Sequence, residues 1–498
     1  MKMKHLYQRH AFGAVIATAF VAMTLASCAV DGYDDETFSG GVTGQTLSSP
    51  AADSIVFTAN ADGTKTTISW PVVYGAGGYR CSVLNVSDES HPVVVVGDTV
   101  VDGTTLVVPR TEDVNYSFSI RTVGNEELGN SDAAETTTAF FSSYLPGYAT
   151  IPDGSDIAEW LSQNALPDDK GEVALDLVEN GHYTLNANAI FGNAPVTIRT
   201  ASSNRATITV GADASFVIKG GFSLKNVVID GSNCSNPLIL MNAEPNPATM
   251  NTVSDKGFYY IEDPVKIVNC LVSNLTDEVI NNNKTQYCIH TFLVDNSVFH
   301  FNTASGHGSG SYFNMYNNGA CINDFTASNS TFYNTSDNEM KYFIRYNNSG
   351  GPKRTGYSKA TVTLRQCTFY NIVKKSQICN YDGLRRTDLA TFTLDHNIIA
   401  DTGNKQFVRR FIAGGSWSDA GIKNFTSNTY VMDGEDAWTM PDAADPTTWT
   451  GEAQYDQTGT IVAGNPGFKD AANGDFTVSG ANQIASRNGD PRWLPSAQ

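Results

Sequence analysis

Ser328-Asn329-Ser330-Thr331-Phe332-Tyr333-Asn334 is one copy of a phrase that the chain repeats, and its recurrence decides the fold. The clearest other copies are Val268-Asn269-Cys270-Leu271-Val272-Ser273-Asn274, Asp295-Asn296-Ser297-Val298-Phe299 and Arg365-Gln366-Cys367-Thr368-Phe369-Tyr370-Asn371. Two weaker copies follow, Asp395-His396-Asn397-Ile398-Ile399-Ala400-Asp401 and Thr426-Ser427-Asn428-Thr429-Tyr430. Their third residues fall at 270, 297, 330, 367, 397 and 428, and self-similarity at this period marks a solenoid. No unit carries an apolar run of helical period, which excludes leucine-rich and helical repeats. A parallel β-helix is therefore expected, with equivalent residues of neighbouring coils stacked about 4.8 Å apart. Val272, Phe299, Phe332, Phe369, Ile399 and Tyr430 then form an inner apolar column. Asn274, Asn334, Asn371 and Asp401 form a turn column that can hydrogen-bond along the stack. His396 takes the turn position held elsewhere by Asn269, Asn296, Asn329 and Gln366, and is read as a ladder residue.

Working outward, Leu224-Lys225-Asn226-Val227-Val228-Ile229-Asp230-Gly231 reads as an earlier coil. Ser155-Asp156-Ile157-Ala158-Glu159-Trp160-Leu161 pairs an N-cap with apolar residues at helical spacing, as expected of a helix capping the open end of the solenoid. Upstream, Thr66-Thr67-Ile68-Ser69-Trp70, Tyr79-Arg80-Cys81-Ser82-Val83 and Tyr116-Ser117-Phe118-Ser119-Ile120-Arg121 alternate with period two, with turn signals between them. A β-sandwich over 51–142 follows. The fold class is all-β, a small sandwich followed by a right-handed parallel β-helix over 150–498.

Composition agrees. The chain has 498 residues, 43 of them Gly, and only 17% are charged, which disfavours helical bundles. Its net charge of −19 argues against a nucleic-acid partner. Lys2, Lys4 and Arg9 precede an apolar stretch over 11–26, too short to span a membrane, so 1–27 reads as a secretory signal. An acidic, Gly/Ser/Thr-rich tether over 28–50 comes next.

Several of these features resemble known families. Leu25-Ala26-Ser27-Cys28 resembles a bacterial lipobox, which implies lipidation of Cys28 and anchorage in the outer membrane. The acidic residues Asp31, Asp34, Asp35 and Glu36 resemble the surface-export signal of Bacteroidetes lipoproteins, implying exposure at the cell surface. Trp70, Tyr79 and Tyr116 on their strands resemble a fibronectin type III domain acting as a spacer. The solenoid resembles pectate-lyase-like β-helix proteins. More narrowly, it is similar to lipoproteins of Bacteroidetes polysaccharide-utilisation loci, which often close on Gly-Asp-Pro-Arg-Trp, as Gly489-Asp490-Pro491-Arg492-Trp493 does here. The resemblance implies an acidic polysaccharide as partner, with other polysaccharide-uptake proteins nearby.

Charge is unevenly spread: 341–425 holds 14 Lys and Arg against 5 Asp. Stacked on a solenoid, such a block becomes a basic patch. Phe313-Asn314-Met315-Tyr316 aligns by its aromatics with Phe343-Ile344-Arg345-Tyr346, and Ile378-Cys379-Asn380-Tyr381 and Val408-Arg409-Arg410-Phe411 continue the series. Met315, Arg345, Asn380 and Arg410 then share a column, and Lys341 points the same way as Arg345. Such a column could clamp glycan carboxylates, because Arg binds carboxylate bidentately. β-Elimination of a uronate needs a cation to stabilise the enolate-like transition state and a base to take the proton. Lys341, Arg345 and Arg410, with Tyr346 or Tyr381 as proton carrier, are the catalytic candidates. Arg409, Asn380, Trp438 and Trp449 are the substrate-binding candidates, the two Trp lying in an acidic excursion over 434–464. Many pectate lyases use Ca²⁺ held by clustered Asp; the basic block has no such cluster, so no metal or cofactor is expected. Gly306-His307-Gly308 resembles a polygalacturonase motif, but its accompanying carboxylate motifs are missing. A lyase and a non-catalytic glycan binder on the same scaffold both remain open. Cys288 and Cys321 fall in one column of adjacent coils, with free thiols expected.

Overall fold

The computed structural model describes residues 42–60, 64–87, 91–168, 171–202, 204–253, 256–304, 307–346, 360–381, 390–403, 422–437 and 456–496. The chain divides into two compact units, 1–145 and 146–498.

The first unit is a β-sandwich. One antiparallel sheet contains Val56–Ala59, Lys65–Ser69 and Thr105–Pro109. The other has four strands, with Gly78–Asn85 and Asn115–Val123 central between Val93–Val101 and Thr137–Ser142. The period-two alternation delivers Ile68, Val83, Phe118 and Ile120 to the shared core. Trp70 packs there against Tyr79 and Phe118, with ring centroids 5.4 and 5.7 Å away. The buried Tyr116 hydroxyl bonds back to Thr111, accepting from its N–H at 2.8 Å and donating to its carbonyl at 3.3 Å.

The second unit is a parallel β-helix whose strands stack into sheets of twelve, ten and seven. Seven successive coils, from Phe222–Lys225 onward, leave the twelve-stranded sheet through one left-handed residue. Asn226, Asn269, Asn296, Asn329, Gln366, His396 and Ser427 hold this position, with φ between 46° and 55°. Asn tolerates that conformation better than other non-glycine residues, which accounts for its recurrence. The Asn269 amide donates to Asn226 Oδ1 at 2.8 Å, and the Asn296 amide to Asn269 Oδ1 at 3.2 Å. His396 stands in this turn, 2.6 Å from Asp395. Of the second turn column, Asn274, Asn371 and Asp401 are left-handed; Asn334 instead closes its strand and is buried.

Ten-stranded-sheet register places Val272 beside Phe299, and Phe299, Phe332, Phe369, Ile399 and Tyr430 in succession. Phe332 stacks at 5.2 Å on both Phe299 and Phe369. The helix Ile157–Gln163 packs on the first coil, capped by Asp156, which accepts from Glu159 N at 2.9 Å. Its Ile157 is buried, and Trp160 leans on the core. The first strand of the solenoid, Gly147–Ile151, pairs with Val173–Leu177 and begins three residues ahead of the expected boundary.

The closing pentapeptide is a strap across four coils. Gly489 N donates to His396 O, Asp490 N to Thr368 Oγ1, Trp493 Nε1 to Thr331 Oγ1 and Arg492 Nη2 to Asn296 Oδ1. Gly489 has φ 86°, and a Cβ there would meet Thr368 Oγ1 at 2.8 Å, so only glycine fits.

Candidate functional site

The seven-stranded sheet carries the candidate site. Its last four strands are Ile280–Asn281, His307–Met315, Met340–Tyr346 and Cys379–Asn380. Their register stacks Asn281, Asn314, Arg345 and Asn380 in one column. Phe313 and Met315, like Ile344 and Tyr346, are buried in the core, and strand alternation puts Asn314 and Arg345 on the opposite face.

This corrects the expected alignment by one residue. Phe313 pairs with Ile344, so Asn314 stands beside Arg345 while Met315 is a core side chain. The register shifts between His307 and Ser311, and both Tyr312 and Phe313 are buried. Such an irregularity breaks the alternation on which matching aromatics relied. Asn380 does stand beside Arg345, and it is buried.

Arg345 lies over the ring of Tyr316, its Cζ 3.4 Å from the centroid, with Tyr342 at 5.5 Å. Lys341, exposed, holds its Nζ 5.6 Å from the Tyr342 ring. The guanidinium thus lies against two aromatic rings, of which Tyr342 is buried, and the exposed Lys341 ammonium borders the same Tyr342 ring.

Glu278 completes the column and was not among the sequence candidates. Its carboxylate accepts from Asn281 Nδ2 at 2.5 Å and from Asn314 Nδ2 at 2.7 Å. Burial raises its pKa to about 7, against the pull of the two amides. The signal was present in Glu278-Val279-Ile280-Asn281, where Ile280-Asn281 is a further copy of Phe313-Asn314. The Oδ1 atoms of Asn314 and Asn380 are buried without a hydrogen-bond partner among the described residues.

Tyr346 does not join the site. It is 2% exposed, packed 5.6 Å from Tyr381, and burial followed by the charges of neighbouring thiols and Asp324 pushes its phenol well above its ordinary value. A neutral phenol facing the core cannot take a substrate proton. Tyr381 is fully buried as well. Arg409, Arg410, Trp438, Trp449 and Cys28 lie outside the described residues, as does Gly306.

Part of the basic block is neutralised locally. Arg365 pairs with Asp395 at 3.0 Å, and Lys374 with Asp433 at 2.7 Å and Asp401 at 3.4 Å. Among the described residues no three His, Cys, Asp or Glu side chains gather into a group able to hold a metal. Cys288 and Cys321 are register partners, buried free thiols, the Cys321 thiol donating to Cys288 Sγ at 3.7 Å.

Three family descriptions match successive segments, all of them domains of unknown function: DUF4992 over 1–188, DUF4957 over 181–335 and DUF5123 over 362–493. No curated protein matches. Among solved structures, pectate lyase PelI from Erwinia chrysanthemi in complex with tetragalacturonic acid is 11% identical, covering 67% of this chain and 88% of its own, with TM-score 0.21. The same lyase in a second structure gives the same identity and coverage, with TM-score 0.17.

Proposed function

We propose that the protein engages an acidic, uronate-containing polysaccharide through the Arg345 face of its β-helix. The observation that carries the reading is the Arg345 guanidinium held against Tyr316 and Tyr342 with Lys341 alongside. Guanidinium and ammonium take a uronate carboxylate, the guanidinium being held in place by the rings it lies against. The N-terminal sequence supports a setting at the cell surface. Its basic, apolar and lipobox-like order reads as export, lipidation at Cys28 and an outer-membrane anchor, with the fibronectin-like sandwich as spacer. The context is glycan uptake, in company with other polysaccharide-utilisation proteins.

A second reading, cleavage by β-elimination, is favoured by Glu278. A carboxyl group titrating near neutrality, one strand pairing from Asn314 and two from Arg345, has the pKa of a proton carrier. The experiment incubates the purified protein with polygalacturonate, alginate and glycosaminoglycans. It follows ultraviolet absorbance of unsaturated uronate and, in parallel, retardation in gels containing each glycan. Retardation by an acidic glycan without absorbance, weakened at least tenfold in Arg345→Ala, is the expected outcome for binding. Absorbance abolished by both Arg345→Ala and Glu278→Gln identifies a lyase. Neither response to any glycan sinks both readings.

A further inference from the structure

A cleft of the solenoid lies away from Arg345, against the twelve-stranded sheet. Neighbouring coils pass quickly between sheets: Phe216–Ile218 gives way to Phe222–Lys225 after three residues. The next coil takes 23 residues between Ile239–Met241 and Val265–Val268. It spends them on an antiparallel hairpin, Met250–Val253 with Lys256–Ile261. The second strand of that hairpin is fixed in parallel register to Tyr287–Asp295, Tyr260 beside Cys288. Closing a coil does not require such an excursion, and chain that leaves a solenoid in this way is where binding surfaces are built.

Between hairpin and coils is a cleft of about 440 Å³. Its coil wall comes from three successive turns, carrying Asn193, Lys219 and the pair Glu262 and Asp263. Its hairpin wall presents Tyr260, Met250 and Asn251. Met250 is 39% exposed and stands opposite Tyr259 in the hairpin register, so strand alternation puts Asn251 on the face that carries Tyr260. Asp263 also lines an adjoining cleft of about 230 Å³ with Glu172 and Lys266. Lys219, Glu262 and Asp263 make no ion pair or hydrogen bond among the described residues. On another part of the solenoid Lys374, by contrast, pairs with Asp433 at 2.7 Å.

We propose that this cleft is a second saccharide site, taking a neutral, hydroxyl-rich sugar unit. Two unpaired carboxylates accept from vicinal hydroxyls, the Lys219 ammonium and the Asn251 amide donate to ring and hydroxyl oxygens, and Tyr260 covers the C–H face. The charge balance separates it from the Arg345 site. Glu262, Asp263 and Glu172 outnumber Lys219 and Lys266, and burial, followed by repulsion from Glu262 and Glu172, raises the Asp263 carboxyl. A polyuronate would meet that same repulsion, whereas a neutral glycan does not. The inference stands apart from the acidic-glycan reading, because it uses none of the same residues.

The test is affinity electrophoresis of the purified protein in gels containing β-galactan, arabinan, xylan or mannan, with polygalacturonate in parallel. At least one neutral glycan is expected to retard migration. That retardation should weaken at least tenfold in Asp263→Asn and in Lys219→Met, which alter opposite charges of the cleft, and should persist in Arg345→Ala. Thermal unfolding of each variant within about 2 °C of the parent establishes that the fold is intact. No retardation by any of the four overturns the proposal. So does retardation that both cleft variants leave unchanged, or that Arg345→Ala abolishes.

Discussion

At the scale of single residues, Glu278 gives the sharpest expectation. Its folded pKa of about 7 stands above the ordinary carboxylate value, and burial is the main cause. The native state therefore binds this proton more tightly than the unfolded chain. The resulting stabilisation is full below the unfolded value, near 4.5, and is lost as pH rises through about 7. Glu278→Gln fixes the neutral form, since an amide, like a protonated carboxyl, offers one donor and one acceptor side. Asn314, whose Oδ1 has no partner among the described residues, can turn its amide to receive the new N–H. The variant should match the parent in melting temperature near pH 5 and exceed it near pH 8. Parallel profiles over that range would show that Glu278 is not the buried acid described. Such a residue was hard to find in the sequence, because Asp277 and Glu278 look alike in a turn. Only the strand register of the folded coil buries one beneath two amides.

At the scale of elements, the turns were legible and the strap was not. A left-handed residue between two strands selects Asn locally, so the ladder from Asn226 to Ser427 can be read without knowing its partners. The closing Gly489 to Trp493 segment owes its sequence to Thr331, Thr368, His396 and Asn296, which lie 93 to 196 residues away. Its meaning appears only when the coils are stacked. The column holding Arg345 was legible except at the irregular strand His307–Met315, where the extra buried ring moved the pairing from Met315 to Asn314. The strap also carries a prediction. Trp493 donates to Thr331 and lies edge-on to Phe476 at 5.9 Å, while the core of the coils is separate from the cluster beneath the strap. Trp493→Ala should cost about 2–3 kcal/mol and act locally. Limited proteolysis should cut within 465–496 at least tenfold faster, while 146–437 resists as before. Cleavage spread evenly over the solenoid would mean that the strap and coils unfold as one.

At the scale of the whole molecule, a solenoid gains stability by nearest-neighbour contact, and its core column makes that measurable. Phe299 and Phe332 stack at 5.2 Å, whereas Ile208 and Phe369 belong to the same column but stand five strand pairings apart. Five pairings span about 24 Å at the usual strand spacing, beyond the reach of direct packing. A double-mutant cycle on Phe299→Leu and Phe332→Leu should therefore yield a coupling of roughly 0.5–1.5 kcal/mol in chemical denaturation. The cycle on Ile208→Val and Phe369→Leu should be additive to within about 0.5 kcal/mol. Equal coupling in both cycles would mean that the coils respond as a single cooperative block. That outcome would bear on function too, because the Arg345 column and the hairpin cleft are built on different coils. If strain passes only between neighbours, each surface keeps its own ligand geometry, and substitution at one leaves the other intact.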